Sequence, residues 1–205
     1  REITGSDLVE GYGLTETSPV VCINPILSPK IGTVGLPVPS TEVTIRDDKE
    51  NILAVGAEGE VWVRGPQVMQ GYWGRPDETQ RVLTADGWLR TGDIGALDPQ
   101  GYLKLFDRKK DMVNVSGFKV FPNEVEDVVM LHPGVLEAAV IGIPDERTGE
   151  AVKLFVVKRD PALTKAALGK YLRARLVSYK VPRIIEFRDQ LPKSNIGKVL
   201  RKELH

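Results

Sequence analysis

The sequence predicts an α+β protein in two parts: a distorted β-barrel of short strands, then a small α+β domain with a three-stranded sheet, a β-hairpin and helices. Three observations predict this fold class. Short alternating segments follow one another through residues 32–106 without long helical patterns between them. Five consecutive charged residues at 107–111, too polar for a hydrophobic core, then interrupt the pattern. Longer amphipathic helical spacings occur only beyond residue 121.

Composition limits the functions that the chain can have. Its 205 residues include 28 Lys plus Arg and 28 Asp plus Glu, so no net charge attracts nucleic acid or anionic lipid. The single cysteine, Cys22, excludes an internal disulfide framework and fits a reducing compartment. Two histidines and one cysteine cannot build a closed zinc site. We find neither an apolar run of the ~20 residues that span a membrane nor a signal peptide, and the start without methionine suggests a fragment.

In the first part, clean alternation of apolar and polar residues predicts strands at 42–46 and 60–64. Residues 66–73 have no regular pattern, and a short helix can begin at Pro76. The segment Asp98-Pro99-Gln100-Gly101 is a strong turn signal between two further strands. These short strands indicate a small barrel or sandwich.

In the second part, residues 112–121 predict a hairpin that turns at Ser116-Gly117, followed by a helix from Pro122. Thr164 is a good N-cap for a second helix that reaches Leu176. A terminal helix is predicted from Val199. Apolar runs predict three longer strands, at 136–143, 151–158 and 184–188.

Several residues have the chemistry needed to bind a phosphorylated ligand. Glycines flank Tyr12 and would let backbone approach a ligand, while Thr15 and Glu16 could hold a phosphate oxygen and a magnesium ion. Asp93 follows a glycine at the end of a predicted strand, where a β-turn aspartate is the alternative. Lys198, which follows a glycine, ends a polar loop that can expose an adaptable ammonium group. Each segment alone is also compatible with an ordinary turn or loop.

A more specific indication comes from four segments in a fixed order: GYGLTETSP, GWLRTGD, DRKKDMVNVSGFKVFPNEVE and LPKSNIGKVLR. Together they resemble the second half of the adenylate-forming enzymes, and within that superfamily the bacterial long-chain fatty-acid–CoA ligases. The resemblance implies that residues 1–106 are the C-terminal part of the large AMP-binding domain, with its β-barrel subdomain. It further implies a hinge at 107–111 and a small C-terminal domain at 112–205.

Enzymes of this kind use ATP and Mg²⁺ to join a carboxylate to AMP, then rotate the small domain and transfer the acyl group to coenzyme A. The resemblance therefore implies an acid–thiol ligase in the cytoplasm whose small-molecule substrates are a long-chain fatty acid, ATP and coenzyme A. It implies no nucleic-acid partner, and peripheral association with the inner face of the membrane is a further expectation. The family's phosphate loop and acyl tunnel are missing from the sequence, so this chain alone is expected to be inactive.

The resemblance also implies roles for the residues that contact the nucleotide. Tyr12 and Gly13 would line the adenine pocket, and Thr15 would contact the α-phosphate. Glu16 would coordinate magnesium. Asp93 would accept hydrogen bonds from both ribose hydroxyls, because a carboxylate offers two acceptors in one plane.

Four further positions match the family's motifs. Arg108 would contact ribose or phosphate, and Lys110 occupies the hinge position. Gly117 would line the pantetheine tunnel, where the lack of a side chain keeps the bore open. Lys198 would bridge the carboxylate and the α-phosphate during adenylation.

Two other functions are compatible with the same residues. One is an adenylation domain that acts on a different carboxylate or loads a carrier protein, since carrier-loading relatives have similar hairpins. The other is a non-catalytic nucleotide-binding or assembly module. The presence of Glu16, Asp93, Arg108 and Lys198 together argues against a decayed enzyme.

Overall fold

The computed structural model describes residues 5, 8–195 and 197–204, and it divides the chain into two compact units, Arg1–Lys109 and Lys110–His205. The boundary falls inside the stretch expected to be a hinge. Ile196 of the lysine-bearing motif, and most of the first seven residues assigned to the first domain, lie outside the described residues.

The first unit contains a four-stranded antiparallel meander in chain order and a smaller three-stranded antiparallel sheet. Both strands predicted from clean alternation are present in the meander. The elements of this unit are β1 (Gly11–Gly13), β2 (Val20–Ile23), β3 (Leu36–Pro37), β4 (Glu42–Arg46), β5 (Gly59–Arg64), the helix α1 (Pro76–Val82), β6 (Leu89–Leu97) and β7 (Leu103–Arg108).

The two sheets of the first unit share one hydrophobic core and are joined by backbone hydrogen bonds. Leu103 of β7 donates its N–H to the Gly35 carbonyl at 2.9 Å and accepts from the Val34 N–H at 2.8 Å, which connects the meander to the segment leading into β3. The core between the sheets is built from small and medium apolar side chains, namely Val21, Cys22, Ile45, Val61, Val63 and Leu103. The hydrogen bonds and the shared core join the two sheets, which confirms the expected distorted barrel.

The course of β6 differs from the prediction, which placed Asp93 at the end of a strand or in a β-turn. Leu89–Leu97 is one continuous strand, and Asp93 lies within it. The register between β5 and β6 shifts around Val61, where the chain of β6 bulges. The bulge interrupts the alternation of apolar and polar residues, so the sequence pattern indicated two short segments instead of one strand.

The charged stretch at 107–111 also differs from the prediction. Asp107 and Arg108 are the last two residues of β7, and Asp107 is only 7% exposed. Its carboxylate accepts a hydrogen bond from the Arg108 N–H at 2.8 Å, and a hydrogen-bonded carboxylate can be buried. The expectation that the whole stretch is too polar for a core is therefore wrong at Asp107. Lys109–Asp111 forms a single 3₁₀ turn.

The second unit is a five-stranded sheet with two helices. The long strand β11 pairs antiparallel with β10 and parallel with β12, and the hairpin β8–β9 joins the same sheet through Val115 and Gly149. The three predicted strands and the hairpin thus form one sheet. Its elements are β8 (Val113–Val115), β9 (Phe118–Val120), α2 (Pro122–Met130), β10 (Val135–Asp145), β11 (Gly149–Lys158), α3 (Lys165–Arg173) and β12 (Ile184–Arg188).

Both faces of β11 are covered, which explains its nearly continuous apolar sequence. On one face, Leu154 belongs to a core that includes apolar side chains of α2 and α3, such as Val125 and Leu168. On the other face, Phe155 packs in a smaller core with Leu191 and Leu204. These two leucines lie on either side of residues 192–198, the lysine-bearing loop, which carries Lys198. The burial of these two leucines fixes the loop to the sheet.

Helical structure is shorter than predicted at two places. Although Thr164 does cap α3, accepting from the Ala167 N–H at 3.2 Å, the helix ends at Arg173, before Leu176. The helix predicted from Val199 is wrong: Val199 forms a β-bridge with Lys193, and only a 3₁₀ turn follows. The backbone groups that close the loop between Lys193 and Val199 are not available for the hydrogen bonds of a helix. No helix among the described residues is long and apolar enough to cross a membrane.

Cys22 offers a chemical probe of the first unit's core. Its side chain is fully buried, and burial raises the pKa of the thiol to about 12. We expect the folded chain to react with an aromatic disulfide reagent at pH 8 at least about 100-fold more slowly than the chain in denaturant, because only the exposed thiolate is nucleophilic. Absorbance of the released thiol measures the rate. Equal rates with and without denaturant would contradict the burial of this strand.

Candidate functional site

The central feature of the first unit is a buried carboxylate held by one hydrogen bond and one ion pair. Asp93 is 8% exposed, and the Tyr12 hydroxyl donates to its Oδ2 at 2.5 Å. Arg108 lies opposite Asp93 in the β6–β7 ladder, and its Nε is 3.5 Å from Oδ1. The structure therefore brings together three predicted site residues that are up to 96 positions apart in the sequence, from β1, β6 and β7.

The electrostatics of this pair assign the proton to the phenol. Burial raises the pKa of Asp93, while the hydrogen bond from Tyr12 and the positive charge of Arg108 act in the opposite direction. Burial, followed by the nearby Asp93 carboxylate, raises the pKa of Tyr12 well above its ordinary value. Tyr12 thus remains a donor and the carboxylate remains an acceptor.

The bulge in β6 positions Asp93, and two side chains replace ladder hydrogen bonds that the bulge removes. The Thr91 hydroxyl donates to the Val61 carbonyl at 2.7 Å and accepts from the Asp93 N–H at 3.1 Å. Glu60 Oε1 accepts from the Gly92 N–H at 3.2 Å. The sequence analysis missed Thr91 and Glu60 as site residues. For Glu60, the available signal was an acidic residue directly before the apolar run Val61–Val63 of β5.

The loop after β1 is closed by its own polar groups. Leu14 donates its N–H to the Pro19 carbonyl at 2.8 Å, and the buried Thr17 hydroxyl lies 2.8 Å from the same carbonyl. A Cβ on Gly13 would overlap the Pro19 carbonyl, so glycine is required there by packing. Thr15 is exposed at the outside of the loop, where a phosphate could reach it.

Glu16 is oriented by a residue that the sequence analysis missed. The Tyr72 hydroxyl donates to Glu16 Oε1 at 2.7 Å, and the Glu16 carbonyl accepts from the Met69 N–H at 2.8 Å. The hydrogen bond to Glu16, followed by burial, raises the pKa of Tyr72 to about 12, so this phenol also stays a donor. Tyr72 lies in the stretch without a regular pattern, and it is 56 residues from Glu16, which is why no local signal indicated the pair.

The surroundings of Glu16 suit a magnesium ion that is held partly by substrate phosphates and water, and not one that is enclosed by protein ligands alone. No group of three or more His, Cys, Asp or Glu side chains in the described part of the chain could hold a metal ion. Tyr72 occupies one oxygen of Glu16. A single carboxylate fits Mg²⁺, which often takes its remaining ligands from substrate phosphates and water.

In the second unit, Lys198 lies in a closed loop, next to the β-bridge between Lys193 and Val199. The Ser194 N–H donates to the Lys198 carbonyl at 2.8 Å, and the Lys198 N–H donates to the Ser194 hydroxyl at 3.2 Å. Lys193, at the base of the loop, pairs with Glu137 of β10 at 2.6 Å. The Lys198 side chain is exposed, so a rigid base presents an adaptable ammonium group.

Gly117 lies in the turn between β8 and β9. Ser116 and Gly117 have φ values of 52° and 86°, and Asn114 Oδ1 accepts from the Gly117 N–H at 2.8 Å. A Cβ on Gly117 would meet no atom within 4 Å. Within this unit, glycine is therefore required by backbone conformation and not by lack of space. Lys110, the first residue of the unit, is exposed.

Comparison with known proteins finds a matching family model in each of the two units. A family model described as AMP-binding enzyme matches residues 1–73, and a model of the AMP-binding enzyme C-terminal domain matches residues 124–198. A long-chain-fatty-acid–CoA ligase of Yersinia pestis is 61% identical over 203 residues, which are 98% of this chain and 36% of the relative. The chain therefore spans little more than a third of the length of the curated relatives it matches.

Solved structures of similar fold include ATP-bound MatB from Rhodopseudomonas palustris, 35% identical with a TM-score of 0.91, which covers 98% of this chain and 40% of that one. The o-succinylbenzoate–CoA synthetase MenE from Bacillus subtilis, in complex with its acyl-adenylate intermediate, is 35% identical with a TM-score of 0.89 over 98% of this chain and 41% of that one. The two family models match in order along the sequence, and the chain belongs to the AMP-binding, adenylate-forming enzymes.

Proposed function

We propose that the protein containing this chain activates a long-chain fatty acid with ATP and Mg²⁺ and transfers the acyl group to coenzyme A. The observation that carries the nucleotide part of the proposal is the buried Asp93 carboxylate between Tyr12 and Arg108. The similarity to long-chain-fatty-acid–CoA ligases supports the choice of acid and thiol.

In this proposal the first unit binds the nucleotide. Asp93 accepts hydrogen bonds from the two ribose hydroxyls, Tyr12 lines the adenine pocket with Gly13, and Arg108 contacts ribose or phosphate. These roles are supported by the convergence of two polar side chains, Tyr12 and Arg108, on the Asp93 carboxylate. Burial of Asp93 strengthens each hydrogen bond that it accepts, because the local dielectric is low.

The phosphates are handled by residues of the loop after β1. Thr15 contacts the α-phosphate, and Glu16, oriented by Tyr72, holds the magnesium ion. When bound, Mg²⁺ offsets negative charge on the phosphates. The support for these two roles is the exposure of Thr15 and the single, oriented carboxylate of Glu16.

The second unit supplies Lys198 for the first half-reaction. A carboxylate oxygen of the fatty acid attacks the α-phosphorus, the bond to the pyrophosphate oxygen breaks, and acyl adenylate and pyrophosphate form. The ammonium of Lys198 offsets the charge that accumulates as the two anions meet. In the second half-reaction the thiolate of coenzyme A attacks the acyl carbonyl and AMP leaves. Lys110 is the hinge between these states, and Gly117 lines the pantetheine tunnel.

The similarity to an o-succinylbenzoate–CoA synthetase favours, as a second candidate, a ligase that acts on a different carboxylate. We infer a cytoplasmic location from the proposed use of ATP and coenzyme A. Peripheral binding to the inner face of the membrane remains a prediction from resemblance alone.

The test of the proposal is a pair of half-reaction assays on the whole protein that contains this chain. Pyrophosphate release measured over carboxylates of graded length should be fastest with long-chain fatty acids. Lys198→Ala should slow that release by about 10²–10³-fold and leave conversion of a supplied acyl adenylate to the thioester nearly unchanged. Lys202→Ala, which removes an exposed lysine four residues away, is the matched control and should affect neither step.

Two results would contradict the proposal. Faster pyrophosphate release with short or aromatic carboxylates would show that the substrate is not a long-chain fatty acid. An equal loss of both half-reactions in Lys198→Ala would indicate a structural role for this residue.

Asp93 also generates a prediction about stability and pH. Because burial raises its pKa, Asp93 binds a proton more readily in the folded chain than in the unfolded chain, and this contribution to stability is lost as the pH rises through the folded-state pKa. Asp93→Asn removes the cost of burying the charge. We expect it to raise the melting temperature of the first unit by about 2–5 °C at pH 7, with a smaller effect near pH 4.

Tryptophan fluorescence measures this change, because all three tryptophans precede residue 109. The variant should bind nucleotide more weakly while being more stable. Destabilisation by Asp93→Asn at both pH values would show instead that the carboxylate holds the barrel together.

A further inference from the structure

The last residue of the first unit is tied into that unit by two carboxylates. Lys109 Nζ lies 3.1 Å from Glu60 Oε2 and 2.8 Å from Asp48 Oδ1. Burial alone would lower the pKa of Lys109, but the hydrogen bonds to Asp48 and Glu60 outweigh it and the pKa is raised. The Glu60 side chain is 11% exposed and that of Asp48 is 76% exposed, so Glu60 is the sheltered partner.

The other oxygen of Glu60 reaches the candidate nucleotide site. Glu60 Oε1 accepts from the N–H of Gly92, the residue before Asp93, within the bulge of β6. One carboxylate on β5 therefore bonds both the backbone next to Asp93 and the side chain of Lys109. A shift of the bulge when a ribose binds Asp93 would change the position of Glu60 and hence its bond to Lys109.

The second residue of the other unit is tied into its own unit in a comparable way. Arg201 Nη1 lies 3.9 Å from Asp111 Oδ2, and Nη2 lies 2.8 Å from a carboxylate oxygen of Glu126 on α2. Arg201 is three residues beyond Lys198. The same guanidinium thus connects the start of this unit with the base of the lysine-bearing loop.

Between these two anchored residues lies Lys110, whose side chain is exposed and makes no hydrogen bond or ion pair with any residue that the structure describes. Ion pairs restrain Lys109 within one unit and Asp111 within the other. At this joint, Lys110 is thus the residue whose side chain does not oppose the change in backbone torsion that a domain rotation requires.

We propose that Glu60 is a positioning residue that couples occupancy of the Asp93 site to the joint through Lys109, with Arg201 as the anchor on the other side. This inference rests on the proposed function, because it assumes that a nucleotide binds at Asp93. It assigns a role to Glu60 that does not require contact with any substrate. The sheltered carboxylate transmits the presence of nucleotide to the residue at which rotation begins.

Hydrogen exchange of this chain, measured by mass spectrometry with and without AMP, tests the coupling. In the unmodified chain, AMP should slow exchange both at 89–97 and at 107–110. In Glu60→Gln, exchange at 107–110 without AMP should rise about tenfold, since a charged hydrogen bond is lost, and AMP should protect only 89–97. Asp48→Asn removes the exposed carboxylate on the same ammonium and should keep the AMP-linked protection.

A second variant tests the same coupling if Glu60→Gln does not fold. Lys109→Met removes the ammonium from a partly exposed position and should abolish the AMP-linked protection at 107–110 in the same way. Arg201→Gln should speed exchange at 111–115 but not at 107–109. Circular dichroism confirms that each variant is folded.

The outcomes separate the two proposals. AMP protection at 107–110 that persists in both Glu60→Gln and Lys109→Met overturns the coupling, as does protection at 89–97 alone in the unmodified chain. Absence of any AMP protection counts against the proposed nucleotide site. In that case a rise in exchange at 107–110 in Glu60→Gln still supports the anchor, and an unchanged rate overturns it.

Discussion

The first unit is arranged around the cost of burying one carboxylate. Asp93 lies within a β-strand, and its side chain is buried. The donor hydroxyl of Tyr12 and the charge of Arg108 offset the cost of this burial only partly. β1, β6 and β7 must therefore be held in register, because the carboxylate needs the hydroxyl of Tyr12 on one side and the charge of Arg108 on the other. The bulge that turns Asp93 towards these donors is in turn stabilised by Thr91 and Glu60. This arrangement costs stability, and it is the basis on which we propose a binding role for Asp93.

The second unit shows a different relation between stability and chemistry. Its rigid elements are two helices and a sheet covered on both faces. Among the residues of this unit that the structure describes, none is a buried charge comparable to Asp93. The chemistry is placed on a loop whose ends are fixed by Leu191 and Leu204 in the small core and by the Lys193–Glu137 ion pair. Lys198 can then sample several positions without destabilising the unit, as an ammonium that must follow a changing charge distribution requires.

Local signals in the sequence predicted most of the fold. Alternation located β4 because it is an ordinary pleated strand, and an apolar run located β12. The Thr164 cap was predictable because its partner is three residues away. Two failures share a physical cause, which is that long-range or side-chain contacts replaced the local pattern. The bulge hid the strand around Asp93, and loop closure by Lys193 removed the terminal helix. For the site, motif resemblance indicated the residues that meet ligands but not Tyr72 and Glu60, whose roles depend on contacts with residues 56 and 32 positions away.

The central claim is that the buried carboxylate recognises ribose hydroxyls. The most direct measurement compares the dissociation constants of AMP and 2′,3′-dideoxy-AMP for the whole protein that contains this chain and for its Asp93→Asn variant. The account predicts that the unmodified protein binds AMP at least about tenfold more tightly than the dideoxy analogue, and that the variant discriminates less than about twofold. Equal discrimination by both proteins would show that Asp93 does not contact the ribose.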